Sequence, residues 1–198
     1  MGPSSPKVGC IGLRAKTARA VVVTIAGDSR EPYAVTRGEI VLATPADQAL
    51  FQPYHAVMDL PWERAKESVS EIERQIADTA AAALKDLVAA LRDSGIAISA
   101  VGVVGAPERN LLSIGNAHIR AHAAEGVLFR RVLETAAEAN GIRCERFAER
   151  DIETLAASRL RISVSALKSR LAGIGERLGP PWRADQKSAA IAAWVALA

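Results

Sequence analysis

Two histidines lie four positions apart in a segment with helical periodicity, at His118 and His122. This spacing places both imidazole rings on one face of a helix, and Glu125 follows within the next turn. Imidazole and carboxylate groups are ligands for zinc, so the pair is a candidate metal site. The stretch lacks the internal glutamate of an HExxH motif, which excludes that class of metalloprotease. The alternative interpretation is a pair of surface histidines that bind nothing.

Basic residues crowd the link between the first two apolar segments, at Arg14, Lys16 and Arg19. Their charge could bind phosphate groups of DNA or RNA, or it could simply keep a turn soluble. Trp182 follows two prolines near the other end of the chain. We expect it to be exposed, and an exposed indole ring could stack on a base.

The charge distribution is compatible with a nucleic-acid partner. The formal net charge is +3, from 25 basic and 22 acidic residues. From Arg143 to Ala198 the chain carries ten basic residues against six acidic ones. A basic final third is expected of a chain that contacts phosphates, although many solvated helices have the same composition.

Several other site classes are excluded by residue type and spacing. Gly102 and Gly105 lie at the end of a predicted strand, but the lysine and the glycine pattern of a phosphate-binding loop are missing there. Cys10 and Cys144 are far apart in sequence and form no CxxC pair. No apolar run reaches the roughly 18 residues of a membrane span, and the N-terminus has no secretory h-region. We therefore expect a cytoplasmic protein with no membrane partner.

The elements that must position these residues follow from hydrophobic periodicity and turn signals. The predicted strands are Val8–Leu13, Ala18–Ala26, Tyr33–Ala43, Ile96–Val104 and Ile142–Phe147. The predicted helices are Trp62–Asp93, His118–Asn140, Ala148–Leu160, Ser163–Leu178 and Ala184–Leu197. Arg14 to Thr17 is expected to be a hairpin turn, and Gly38 a β-bulge. Residues 7–198 are expected to form one domain after a disordered tail, 1–6.

Three stretches of this sequence resemble one known family. The opening VGCIGLRAKTARAVVV, the segment HIRAHAAEGVLFRRVLETAAEANGIRCERFAERDI and the end PPWRADQKSAAIAAWVALA resemble RuvC-type Holliday-junction resolvases of the ribonuclease-H-like superfamily. The resemblance implies an α/β fold with a five-stranded mixed sheet. Strands 1–3 would form an antiparallel meander, strand–helix units would follow, and helices would cover both faces. It also implies a homodimer and a site where carboxylates hold two divalent metals.

The residues that match the family's metal ligands depart from its pattern. Arg14 stands where the family has the acidic residue of the first strand. The family's second acidic residue is expected near the end of the fourth strand, but the nearest one here is Glu108, a few residues later in the sequence. Asp185 remains on the last helix, but Ser188 stands one turn further on. Because a guanidinium repels a cation, we expect a degenerate active site. We further expect an ion pair between Arg14 and Asp185 in place of the metal.

The same resemblance places the last helix beside the first strand. Arg183 and Lys187 flank Asp185, so they are expected to extend the basic patch of the first hairpin and to contact nucleic acid.

Three hypotheses for function remain open. The first is a catalytically degenerate module that binds DNA or RNA. The second is a nuclease with a rearranged site of Glu108 and Asp185, to which His118 could be added as a further ligand. Only this hypothesis requires Mg²⁺ or Mn²⁺. The third is a non-enzymatic domain for oligomerisation or protein interaction.

Overall fold

The computed structural model describes residues 6–198, and these form a five-stranded sheet between two groups of helices. The strands are β1 (Lys7–Lys16), β2 (Arg19–Gly27), β3 (Pro32–Val41), β4 (Ile96–Gly105) and β5 (Arg143–Ala148). Their order across the sheet is β3-β2-β1-β4-β5. The first three strands are antiparallel, whereas β4 and β5 run parallel to β1. The predicted mixed sheet of ribonuclease-H-like topology is therefore confirmed.

Helices cover both faces of the sheet, as predicted. They are α1 (Gln48–Phe51), α2 (Trp62–Asp93), α3 (Ala117–Ala139), α4 (Ile152–Leu160), α5 (Val164–Leu178) and α6 (Ala184–Leu197), with short 3-10 turns at Leu111–Ser113 and Glu149–Asp151. Successive strand residues point to opposite faces. Ile11 and Leu13 therefore pack against α2 and α3, whereas Cys10 packs against α4, α5 and α6.

Helix α2 begins and ends at the residues predicted from the sequence. Pro61 precedes its first turn, and Gly95 follows its end with a φ of +79°, a conformation that glycine adopts readily. Val69, Ile76 and Leu84 are buried on its inner face. The helix therefore covers the sheet with an apolar stripe and leaves its charged face to solvent.

Helix α6 lies directly on the middle of the sheet because two strand glycines have no side chain there. A Cβ built on Gly12 would lie 1.7 Å from the carbonyl oxygen of Ala189. A Cβ built on Gly102 would lie 2.6 Å from the carbonyl oxygen of Ala192. This close approach brings the first turn of α6 to the end of β1.

One edge of the sheet collects the carboxyl ends of four strands. Strands β1, β3, β4 and β5 share a direction, so they end on the same side, at Lys16, Val41, Gly105 and Ala148. We call this side the carboxyl edge. In parallel sheets such an edge is where binding sites form.

Two details of the predicted sheet are wrong. Strand β1 continues to Lys16, so Arg14 is not in a turn but pairs with Val21 of β2 and Val104 of β4. The irregularity in β3 falls at Val35, opposite the step between Thr24 and Ile25, and Gly38 pairs regularly. The remaining predicted bounds differ by a few residues at most. The predicted tail, 1–6, falls outside the described residues except for Pro6.

None of the helices in residues 6–198 combines the length and the apolar character that a bilayer span requires.

Candidate functional site

Arg14 is a buried charged residue at the carboxyl edge. It is only 8% exposed, because it lies within β1 between two hydrogen-bonded neighbours. Its Nη2 donates to Glu149, and its Nε lies 3.6 Å from Oδ1 of Asp185. The expected ion pair with Asp185 is therefore present, and Glu149 is a second partner that the sequence did not indicate.

Lys16 is the second cation of this group, with Nζ 3.3 Å from Asp185. We call Arg14, Lys16, Glu149 and Asp185 the carboxyl-edge cluster. Two cations thus face two carboxylates, and both oxygens of Asp185 and Oε2 of Glu149 are engaged by them. Within residues 6–198, these carboxylates do not belong to any converging group of three or more metal-ligating side chains.

Glu108 does not approach this cluster as an extra ligand. Its carboxylate lies 2.5 Å from Nη2 of Arg130, whose side chain is 2% exposed and also pairs with Glu134. Arg130 is held against the end of β4, where a Cβ on Gly105 would lie 2.9 Å from it. The second hypothesis required Glu108 and Asp185 to share a metal, and the geometry does not support that arrangement.

Exposed cations adjoin the carboxyl-edge cluster. Arg183, at the N-cap of α6, and Lys187, in its first turns, flank Asp185. Both are exposed, and neither makes a salt bridge with any described residue. Arg19 is also exposed but lies 3.5 Å from Glu39. Since the cluster itself is balanced, Arg183 and Lys187 give this surface its positive charge.

Trp182 is less accessible than expected. It is half-buried, and its ring lies so close to α5 that a Cβ on Gly175 would be 2.3 Å from its Cδ1. Arg37 donates to the carbonyl groups of Pro180 and Pro181 and fixes the preceding segment. The ring fills the gap above Gly175, so the expectation of a fully exposed side chain is wrong, while a role of Trp182 in stacking on a base stays a prediction.

His118 and His122 lie together, and a third histidine joins them. The ring of His55 is 4.9 Å from that of His118 and 4.3 Å from that of His122, measured between centroids. The two helical rings are 4.6 Å apart. One ligand nitrogen from each residue lies within 4.8 Å of the other two. We call these three residues the histidine cluster.

His55 was missed because nothing near it in the sequence suggests a ligand. It follows α1 in the segment that connects the sheet to α2, more than sixty positions from its partners. The one available signal was that the chain has only three histidines. Glu125 holds His55 in place, since its Oε1 accepts from the backbone N–H at 3.1 Å and lies 2.8 Å from Nδ1.

The cysteines are poor candidates for nucleophiles. Burial raises the pKa of Cys144 to about 11, and neighbouring Glu134 adds to the shift. Burial also raises the pKa of Cys10. Both thiols therefore remain protonated near neutral pH, and the thiolate is the reactive form.

Comparison with known proteins finds similarity in solved structures only. No protein-family model and no curated protein sequence matches the chain. The structure "T. thermophilus RuvC in complex with Holliday junction substrate" is 14% identical, with a TM-score of 0.48, over 95% of this chain and 91% of that chain. The structure "Thermus thermophilus RuvC structure" is 14% identical, with a TM-score of 0.46, over 94% of this chain and 92% of that chain. The chain has the ribonuclease-H-like strand order described above and is similar in fold to these two RuvC structures.

Proposed function

We propose that this protein binds nucleic acid at the carboxyl edge of its sheet and does not cleave it by two-metal chemistry. The observation that carries the proposal is the position of Arg14, buried between Glu149 and Asp185. A guanidinium there places a fixed positive charge between the two carboxylates, where it repels a divalent cation.

The local charge balance supports phosphate binding. Arg14 and Lys16 offset Glu149 and Asp185, so they add little to the field outside the protein. Arg183 and Lys187 are exposed beside them. Unpaired lysine and arginine side chains on one surface attract the phosphate backbone independently of sequence.

Two other interpretations have less support. Cleavage through Glu108 and Asp185 would require a carboxylate that Arg130 already binds. The homodimer implied by the sequence resemblance has no supporting contact in a single chain, and it stays a prediction for light scattering.

The test is fluorescence anisotropy at low salt with three labelled DNA probes: a four-way junction, a duplex and a single strand. The junction is included because it is the substrate of the resolvases that the sequence resembles. We expect salt-sensitive binding to at least one probe. The double variant Arg183→Gln/Lys187→Gln should bind more weakly and lower the salt slope by about 2, or roughly one for each phosphate contact.

The matched control removes the same charge elsewhere. Lys85 and Arg92 are exposed on α2, a helix that contributes no residue to the carboxyl-edge cluster. Lys85→Gln/Arg92→Gln should leave the affinity and the salt slope close to those of the parent. An equal loss of DNA affinity in both double variants would place the binding surface elsewhere. If the parent protein binds none of the three probes, the proposal is wrong.

A further inference from the structure

We infer that His55, His118 and His122 bind a divalent transition metal, Zn²⁺ first among them, through three imidazole nitrogens. The nitrogens come from two separate parts of the chain. His118 and His122 stand one turn apart on the first part of α3, and His55 reaches them from the segment before α2. All the histidines of the protein meet at this one point.

His55 is oriented as a metal ligand would be. Its Nδ1 and its backbone N–H both face Oε1 of Glu125, a carboxylate with only 3% of its side chain exposed. A carboxylate accepts hydrogen bonds, so the proton of the ring lies on Nδ1. The lone pair of the ring is then on Nε2, and carboxylate–histidine–zinc arrangements fix the ligand in this way.

Nε2 of His55 is buried and has no hydrogen-bond partner among residues 6–198. Buried polar atoms without a partner are rare in folded proteins, and an ion is one of the groups that satisfies them. The rings of His118 and His122 pack edge to face against the ring of His55, with interplanar angles of 77° and 71°. A metal between the three rings would satisfy Nε2.

The spacing is close to that of a metal site. Nitrogens at about 2.0–2.1 Å from a tetrahedral zinc ion lie roughly 3.4 Å apart, whereas those of the histidine cluster lie within 4.8 Å of one another. His118 and His122 are exposed, so their rings can rotate to close the difference. His55, half-buried and held by Glu125, is the fixed ligand.

The three imidazole ligands determine which metal ions the site would prefer. Three imidazoles suit Zn²⁺, Ni²⁺, Cu²⁺ and Fe²⁺, whereas Mg²⁺ and Ca²⁺ prefer oxygen ligands. Three protein ligands leave one position of a tetrahedral ion open, and the exposure of His118 and His122 would give solvent access to it. Such open sites are typical of catalytic rather than structural zinc, so a water molecule or a small anion would be the fourth ligand.

The test uses the full chain, purified without a histidine tag and freed of metal with a chelator. Co²⁺ is titrated as a spectroscopic probe, and Zn²⁺ binding is measured by competition with a chromophoric chelator. We expect one Zn²⁺ per chain and visible d–d absorption with Co²⁺. The exposed double variant His118→Ala/His122→Ala should lose both signals while keeping its far-ultraviolet circular dichroism.

Two further variants separate a metal site from a stack of rings. Glu125→Gln keeps the shape of the side chain but weakens the hold on His55, so it should lower the zinc affinity by about 10- to 100-fold. Arg183→Gln/Lys187→Gln should bind zinc like the parent, which keeps this result independent of nucleic-acid binding. Equal zinc binding by the parent and His118→Ala/His122→Ala, or no binding by either, would overturn the inference.

Discussion

Arg14 contributes to stability because two carboxylates depend on it. Replacing it with methionine keeps much of its volume but leaves Glu149 and Asp185 with only Lys16 to offset their charge. Because both carboxylates are partly exposed, solvent screens much of the loss. We expect Arg14→Met to lower the free energy of unfolding by about 1–2 kcal/mol in urea denaturation at neutral pH.

Arg150 provides the matched control. It follows Glu149 in sequence, but its side chain is 88% exposed, and its one ion pair among the described residues is with the neighbouring Asp151. Arg150→Met should change stability by less than about 0.5 kcal/mol. If both substitutions cost the same, the ion pairs of Arg14 do not stabilise the carboxyl edge.

The thiol of Cys144 should react slowly in the folded protein. Its pKa is about 11 instead of 9.0, so the thiolate fraction near pH 8 is lower by about 100-fold than in the unfolded chain. A raised folded-state pKa stabilises the fold fully below pH 9, and this contribution is lost as the pH rises towards 11. In Cys10→Ser protein, alkylation by iodoacetamide followed by mass spectrometry should be far faster in urea than without it. Equal rates at pH 8 would contradict the burial of Cys144.

At the scale of elements, the contact between α6 and β1 requires a residue without a side chain at position 12. A methyl group on Gly12 would overlap the carbonyl oxygen of Ala189, and neither backbone can move without separating the helix from the sheet. Gly12→Ala should therefore cost at least about 3 kcal/mol or prevent folding. Gly38→Ala is the control, since its added Cβ would meet no atom within 4 Å in the described part of the chain, its two chain neighbours aside. It should leave the thermal midpoint unchanged or slightly raised, and similar losses in both variants would refute the close approach.

Elements whose boundaries are set locally could be predicted from the sequence. Pro61, Gly95 and the buried stripe between them define α2 without help from the rest of the chain. Arg14 was misplaced because a basic residue among polar neighbours is typical of a turn. Its ion pair depends on Glu149, which is 135 positions away and reaches it only through the sheet order.

The residues of the candidate sites likewise divide into those that local sequence spacing indicates and those that only tertiary packing brings together. His118 and His122 were recognised by a spacing that one helix imposes, whereas His55 joins them only through tertiary packing. The ion pair of Arg14 with Asp185 followed from the resemblance to the resolvases. Trp182 was expected to be exposed because it follows two prolines, but Gly175 leaves a space on α5 that the ring fills.

At the scale of the whole molecule, zinc should stabilise the fold by joining two parts of the chain. The histidine cluster connects the segment before α2 to α3. Free Zn²⁺ at 100 times its Kd would add about 2.7 kcal/mol, which for a chain of this size raises Tm by roughly 5–10 °C. Differential scanning fluorimetry should show this rise in the parent and none in His118→Ala/His122→Ala. A rise of equal size in both would assign the effect to other sites.

The proposed function differs from that of a metal-dependent nuclease in one measurable way: the protein should bind a DNA junction and leave its strands uncut. Labelled four-way junction at saturating protein is incubated with millimolar Mg²⁺ or Mn²⁺, and strand lengths are followed on a denaturing gel. We predict bound but uncut strands, because the guanidinium of Arg14 occupies the space between Glu149 and Asp185. Cleavage with either metal that disappears in Asp185→Asn would contradict this account.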